Sequence, residues 1–211
     1  MATMVTRLAV VLIWAGAVGL LLVRSPHGGR RVYQAMAAAQ VVLLAELAWW
    51  ERNLVGAGVV ALEAVLKVGV VPWLLSHGAP LAEEQYGARG IWGASGLVWG
   101  ALGFTGVGLA SGYRLGVPAS GLTGAVLAAG LILLWGLAMR RDPWVQAVQL
   151  LALDTVLGAL AFLALQGLPP VADGLALADL VGMAAILAAL ERTNRIRFGV
   201  VDTAQLKELK G

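Results

Sequence analysis

Long apolar stretches separated by short polar segments make up most of the chain. Seven of these stretches are long enough, or nearly so, to cross a hydrocarbon core of about 30 Å, which takes roughly 20 helical residues. They lack the apolar–polar alternation of membrane-barrel strands, so they predict helices. The predicted helices span Leu8–Val23, Val32–Trp50, Leu54–Leu75, Ile91–Leu109, Ala119–Met139, Trp144–Gln166 and Leu175–Leu190.

Composition supports this interpretation. The chain has 211 residues, of which 60% are hydrophobic and 13% charged, with a mean hydropathy of +0.84. Soluble domains carry about a quarter charged residues. The sequence therefore predicts an all-α, polytopic membrane protein with a bundle of about seven transmembrane helices.

The basic residues are distributed unevenly between the two ends of the predicted helices. The N-terminus and the even-numbered loops carry three, Arg7, Arg52 and Arg114, and Lys67 lies within a helix. The odd-numbered loops and the tail carry eleven: Arg24, Arg30, Arg31, Arg89, Arg140, Arg141, Arg192, Arg195, Arg197, Lys207 and Lys210. Because the side richer in Lys and Arg faces the cytoplasm, the pattern predicts an outside N-terminus and a cytoplasmic C-terminus.

The fourth predicted helix is rich in glycine. Steps of three and four residues would place its glycines on one face, where another helix backbone could approach closely. This face predicts a packing seam within the chain or between subunits, although glycine is also common in membrane helices generally. The glycines are Gly93, Gly96, Gly100, Gly103 and Gly106.

A carboxylate and a lysine lie near the middle of the third predicted helix. Glu63 precedes Lys67 by four residues, which is the favourable order for an ion pair on a helix. Pro72 lacks an N–H and so frees the carbonyl of Val68, which we expect to accept a bond from Lys67 or from water. The pair either marks an ion or proton path or only neutralises itself and fixes packing.

Three further acids lie within predicted helices, where a charge facing lipid costs at least ~2–3 kcal/mol. Asp154 is near the centre of the sixth helix, and Gln146 and Gln149 precede it as candidate members of a hydrogen-bonded chain. Asp179 belongs either to the same path or to the start of the last helix. Glu46 is a secondary candidate that is more simply interpreted as reaching the membrane interface.

The sequence contains no signature of independent bond chemistry. It has no cysteine, and His27 and His77 both fall in predicted loops, so no metal site and no cofactor are expected. No nucleophile–base pair, phosphate loop or dinucleotide fingerprint appears. The basic residues flank apolar runs, so nucleic acid is not an expected partner, and the chain is not expected to be catalytic alone.

Three stretches carry a resemblance to a known family. They are VLKVGVVPWLL at Val65–Leu75, RRDPWVQAVQLLALDTVLGALAFLAL at Arg140–Leu165, and the tail from VADGLALADLVG at Val171–Gly182 to VVDTAQLKELKG at Val200–Gly211. Through them the chain resembles, over nearly its whole length, the hydrogenase-4 component E family of membrane subunits of group 4 hydrogenase and formate hydrogenlyase complexes. The first stretch is similar to that family's lysine-then-proline helix.

From about Ala119 onward the resemblance extends to the small K-type subunit of respiratory complex I, whose last two helices carry intramembrane glutamates. The matching residues here are Asp154 and Asp179, whereas the family has glutamate at the first position. Glu63 has no family counterpart. The resemblance divides the chain into a four-helix part (1–118), a three-helix part similar to the K-type subunit (119–201) and a short cytoplasmic tail (202–211).

The resemblance implies a non-catalytic, multi-pass subunit of a bacterial inner-membrane complex. Its partners would be antiporter-like membrane subunits, a membrane anchor subunit, a peripheral hydrogenase or related redox module, and membrane lipid. Glu63, Lys67, Asp154 and Asp179 would then belong to a charged axis that couples electron transfer to proton or cation movement. The alternatives are a purely structural anchor and a small stand-alone transporter, although the paired repeats usual in transporters are not found.

Overall fold

The structure is a computed structural model that describes residues 3–23, 25–50, 54–78, 93–116, 120–140 and 143–165. Within these residues the ordered elements are all helical. They are α1 (Met4–Leu22), α2 (Pro26–Trp50), α3 (Leu54–Glu63), a π-helical segment (Ala64–Val70), α4 (Val71–Gly78), α5 (Gly93–Arg114), α6 (Ser120–Met139) and α7 (Pro143–Leu165).

Local sequence signals set several helix ends. Thr3 caps α1, because its hydroxyl accepts the backbone N–H of Thr6 at 3.2 Å. Ser25 caps α2 in the same way, accepting the N–H of Gly28 at 3.1 Å. Beyond the end of α5, Gly116 has a φ of 62°, the left-handed conformation that glycine adopts without a steric penalty.

These caps explain why the predicted boundaries of the first two helices were wrong. We predicted that α1 would begin at Leu8 and α2 at Val32, where the apolar runs begin. The helices begin earlier, at Met4 and Pro26, because capping and backbone geometry continue a helix through a polar first turn. The seventh predicted helix and Asp179 lie outside the described residues.

Helices α3 and α4 are joined end to end through the π-helical segment and form one rod. In this segment the N–H of Val71 bonds to the carbonyl of Leu66, a spacing of five residues instead of four. Pro72 follows directly and contributes no N–H, so the ordinary helical bonding pattern is interrupted there. Lys67 lies within the segment, close to the middle of the rod.

Four helices form the centre of the described bundle. Helix α1 packs against α2 and α6, and α7 closes the ring by packing against the same two helices. The α3–α4 rod lies outside this ring against α2, and α5 lies outside it against α6. Large, fully buried side chains fill the ring, among them Leu20, Tyr33, Met36, Ile132 and Leu151.

Two contacts establish the relative direction of helices within the ring. The guanidinium of Arg140, just after α6, donates to the carbonyls of Leu21 and Val23 at the end of α1, the second at 3.2 Å. Helices α1 and α6 therefore end side by side. Gly29 at the start of α2 lies against Trp144 at the start of α7. The loops that follow α1 and α6 thus lie on the same side of the bundle.

Among the described residues, four segments are both long and apolar enough to cross a membrane: Met4–Leu22, Gly56–Ser76, Ser120–Met139 and Trp144–Leu163. Their outer faces expose large apolar side chains, for example Leu8 and Leu12 on α1, which are 53% and 55% exposed. Such surfaces suit contact with lipid. These observations indicate a multi-pass membrane protein.

The glycines of α5 take two different positions. A Cβ on Gly100 would press on Trp135 of α6, whereas one on Gly103 or Gly106 would meet open space. The backbone of α5 comes close to that of α6 at Gly108, where a Cβ would lie 2.5 Å from the Cα of Ala128. Gly112 approaches Gly124 in the same way.

The predicted seam is therefore displaced toward the C-terminal end of α5. Gly93 begins the helix and Gly96 follows three residues later. Gly103 does not form a seam within the described chain. Whether Gly103 and Gly106 form one between subunits stays a prediction.

Gly108→Ala should destabilise the protein, because its methyl group would collide with the backbone of α6. Overpacking of this kind costs about 1–3 kcal/mol. Gly103→Ala is the matched control, since both changes gain about 1 kcal/mol of helix propensity but the second methyl group enters open space. The measurement is the thermal unfolding midpoint of the purified full-length protein in detergent. Equal midpoints for the two variants would contradict the close α5–α6 contact.

Candidate site: a buried lysine between two carboxylates

The ammonium of Lys67 is the centre of a buried polar cluster. Its Nζ lies 3.0 Å from Oδ2 of Asp154 and 3.5 Å from Oε1 of Glu63. It also donates to Oε1 of Gln40 at 3.1 Å. An ammonium has three donor protons, and here three oxygens surround it.

Three separate helical elements supply these oxygens. Glu63 is the last residue of α3, Gln40 belongs to α2, and Asp154 belongs to α7. Each lies near the middle of its helix or rod, so the cluster is at mid-depth in the bundle. Lys67 and Glu63 are each 4% exposed and Gln40 is 1% exposed, whereas the side chain of Asp154 is 33% exposed. Asp154 is therefore the most accessible member of the cluster.

Gly158 of α7 leaves space for the side-chain amide of Gln40 between α2 and α7. A Cβ at this position would overlap Nε2 of Gln40, so the absence of a side chain makes room for the amide. The amide is thereby pressed against α7 one turn beyond Asp154, with its oxygen toward Lys67. A fully buried glutamine inside an apolar helix requires a hydrogen-bonding partner, and Lys67 supplies one.

The carbonyl that Pro72 frees is satisfied by a residue other than the expected one. Nε2 of Gln34, on α2, donates to the carbonyl oxygen of Val68 at 2.9 Å. Lys67, which we expected as one possible donor to this carbonyl, is directed instead toward the three oxygens of the cluster. Gln34 thus links the irregular part of the rod to α2 beside the charged cluster.

Tyr33 adds a further oxygen to these surroundings. The side chain is fully buried, and its hydroxyl has no hydrogen-bond partner among the described residues. It lies close enough to Asp154 and Glu63 to interact with their charges, and it lies beside Thr155. Tyr33 thus belongs to the buried polar surroundings of the cluster.

Gln146 and Gln149 do not form the hydrogen-bonded chain predicted for them. Gln146 donates to the backbone carbonyls of Leu137 and Arg140, at 3.2 and 2.7 Å, and so caps the end of α6. Gln149 is fully buried against Gly136, on the side of α7 that faces α6. The amide that the structure brings to the lysine is instead Gln40.

Glu46 is also separate from the cluster. Both of its carboxylate oxygens accept hydrogen bonds from threonine hydroxyls at the start of α1: Oε1 from Thr3, and Oε2 from Thr6 at 2.6 Å. A carboxylate near the N-terminus of a helix is also favoured by the helix dipole. Glu46 therefore connects the start of α1 to the end of α2, which agrees with the interpretation that it lies outside the path.

The cluster can hold a positive charge within an apolar bundle and exchange it between groups. Removal of one member of a buried ion pair typically costs about 3–5 kcal/mol, so Glu63, Lys67 and Asp154 depend on one another. Two carboxyls share one ammonium, which leaves room for one further proton. Among the described residues, no group of three or more His, Cys, Asp or Glu side chains could hold a metal ion.

Comparison of the chain with models of known protein families, with curated proteins and with solved structures gave no match. A functional proposal therefore depends on the chemistry of the cluster and on the resemblance of the three stretches described above.

Replacing Gln40 with leucine should lower stability by about 1–3 kcal/mol, because Lys67 would lose one of its three acceptors. Met36→Leu is the matched control, since Met36 is equally buried on α2 and the change conserves volume. Thermal unfolding midpoints in detergent give the comparison. If both variants unfold at the same temperature, the bond from Lys67 to Gln40 does not contribute to stability.

Proposed function

We propose that the chain is a non-catalytic integral membrane subunit of a complex I-like, membrane-bound hydrogenase or formate hydrogenlyase complex. In this role Glu63, Lys67 and Asp154 take part in proton or cation translocation coupled to electron transfer in a peripheral redox module. Asp179 belongs to the same proposed axis. The neighbours would be antiporter-like membrane subunits in a bacterial inner membrane.

The observation that carries the proposal is the position of Lys67 between two carboxylates at mid-depth in the bundle. Ionisable groups inside a membrane domain are costly, and they are kept chiefly where ions or protons move. The ammonium lies 3.0 Å from Asp154 and 3.5 Å from Glu63, so a small movement of the lysine head exchanges its partner. A proton added at one carboxyl would shift Lys67 toward the other.

The different exposure of the two carboxyls gives the proposed path a direction. Glu63 is buried, whereas a third of the Asp154 side chain is accessible. A carboxyl at that position can reach a neighbouring subunit or water, while Glu63 is reached through Lys67. Asp154 is therefore the proposed point of proton entry or exit.

The same geometry supports a second candidate, the structural anchor. The three oxygens around Lys67 match its three protons, and an arrangement so fully satisfied holds three helices in one register without moving any charge. The two candidates differ in whether Asp154 must titrate. The stand-alone transporter is distinguished by a pull-down from native membranes, which should recover large antiporter-like subunits if the complex exists.

The proposed orientation has the N-terminus outside and the C-terminus in the cytoplasm, with seven helices. Reporter fusions after Arg31, Arg141 and Gly211 should all give cytoplasmic signals. The contacts of Arg140 with Leu21 and Val23 support an equal outcome for the first two fusions, because the ends of α1 and α6 lie side by side. A periplasmic signal at Gly211 would mean an even number of helices or the reverse orientation.

Asp154→Asn should slow proton translocation by about tenfold or more, because asparagine has nearly the shape of aspartate but cannot exchange a proton. Asp154→Glu is the matched control and should retain activity, since it keeps the carboxyl. The measurement is acidification of membrane vesicles driven by the electron donor of the complex, with assembly checked by co-purification. Equal rates for the Asn variant and the unmodified protein would reject the relay and favour the anchor.

A further inference from the structure

We infer that the oxygens of Glu63, Asp154 and Gln40 form a binding site for one small monovalent cation, and that Lys67 fills this site with its own ammonium. In this arrangement the lysine is a tethered cation that keeps free sodium, potassium or ammonium ions out of the bundle. The structural part of the inference stands on the cluster alone, whereas its functional consequence rests on the proposed function.

The geometry is that of an oxygen-lined cation site. Two carboxylate oxygens and one amide oxygen, from three helical elements, surround a single point at 3.0, 3.5 and 3.1 Å. Carboxylate and amide oxygens are the ligands that hard cations take in proteins. The group at that point is an ammonium, whose size is close to that of a potassium ion.

Burial fixes the ligands in place before any free ion could bind. Gln40 is held against the bare backbone of Gly158, and Gln34 fastens the π-helical segment that carries Lys67. The site is therefore preorganised by packing contacts that do not involve the lysine head. A vacated site would keep its shape.

Charge gives the site its affinity for a cation. Without the lysine head, two carboxylates and an amide oxygen would face one another in a low-dielectric interior, where uncompensated charge is strongly unfavourable. The fully buried hydroxyl of Tyr33 is a further oxygen beside both carboxylates, and it has no hydrogen-bond partner among the described residues.

A site occupied by its own side chain selects what can pass. A proton can still be added to or removed from the carboxyls around Lys67, because it needs no coordination shell. A sodium or potassium ion would need the space that the ammonium fills. The proposed function allowed either a proton or another cation. The proton is therefore the species that crosses this cluster.

The test is to vacate the site and supply free cations. Lys67→Met, as the full-length chain in lipid nanodiscs, is unfolded by heat in choline chloride, NaCl, KCl and NH4Cl at equal ionic strength. The midpoint of the variant should rise with the logarithm of the concentration of at least one small cation once that concentration exceeds the dissociation constant. At a concentration about 100 times the dissociation constant, the rise expected from linkage is about 5–10 °C. The unmodified protein in the same salts should not show this dependence.

Two further variants make the result specific. Lys67→Met combined with Asp154→Asn lacks one carboxylate and should lose most of the response to cations. Lys67→Gln also removes the ammonium but keeps a polar side chain at this position. If either vacated variant is recovered folded from membranes only when a small cation is present, that also supports the site. If the vacated variants remain unfolded in all four salts, choline included, the inference is overturned.

The remaining outcomes also decide the question. A midpoint that ignores the cation but rises on acidification means that the vacated carboxyls take protons instead, and this overturns the inference. Cation-dependent stability in Lys67→Met, together with unimpaired proton movement in Asp154→Asn, supports the site but rejects the proposed function. If Lys67→Met shows no cation-dependent stability but Asp154→Asn impairs proton movement, the site is rejected and the proposed function is retained.

Discussion

A full positive charge enclosed by helices is the constraint on which the centre of this bundle depends. Lys67 can be buried only where oxygens reach it, and those oxygens come from α2, from the end of α3 and from α7. Gln40 and Gly158 are explained by the same requirement, because the amide reaches the ammonium only where α7 carries no side chain. The cluster therefore joins three helical elements at one depth in the bundle.

The ends of the helices are held by a second set of polar contacts, each of which satisfies a helix terminus. Arg140 donates hydrogen bonds to the last carbonyls of α1. At the other end of the same helix, Glu46 accepts hydrogen bonds from the hydroxyls of Thr3 and Thr6. In lipid, where water cannot satisfy the backbone, such contacts carry more weight than in a soluble protein. Arg140 thus contributes to the uneven distribution of basic residues and also joins the ends of α1 and α6.

Apolar run length was sufficient to locate the described helices, although not all of their ends, because the apolar runs are long and contain few charges. Residue spacing was sufficient for the pair Glu63 and Lys67, because four residues on one helix place two side chains together whatever surrounds them. The links from Lys67 to Asp154 and Gln40 could not be predicted in this way. They depend on which faces of α2 and α7 meet, and helices that are apolar on most sides give little indication of this.

The rod that carries Lys67 precedes α7 by more than sixty residues, and this order has a consequence for biogenesis. A membrane protein is inserted as it is synthesised, so Lys67 enters the bilayer before Asp154 has been translated. During that interval Glu63, on the same rod, and Gln40, on the preceding helix, are the partners that the growing chain already contains. Glu63, four residues before Lys67, therefore lowers the free-energy cost of inserting the lysine until α7 completes the cluster.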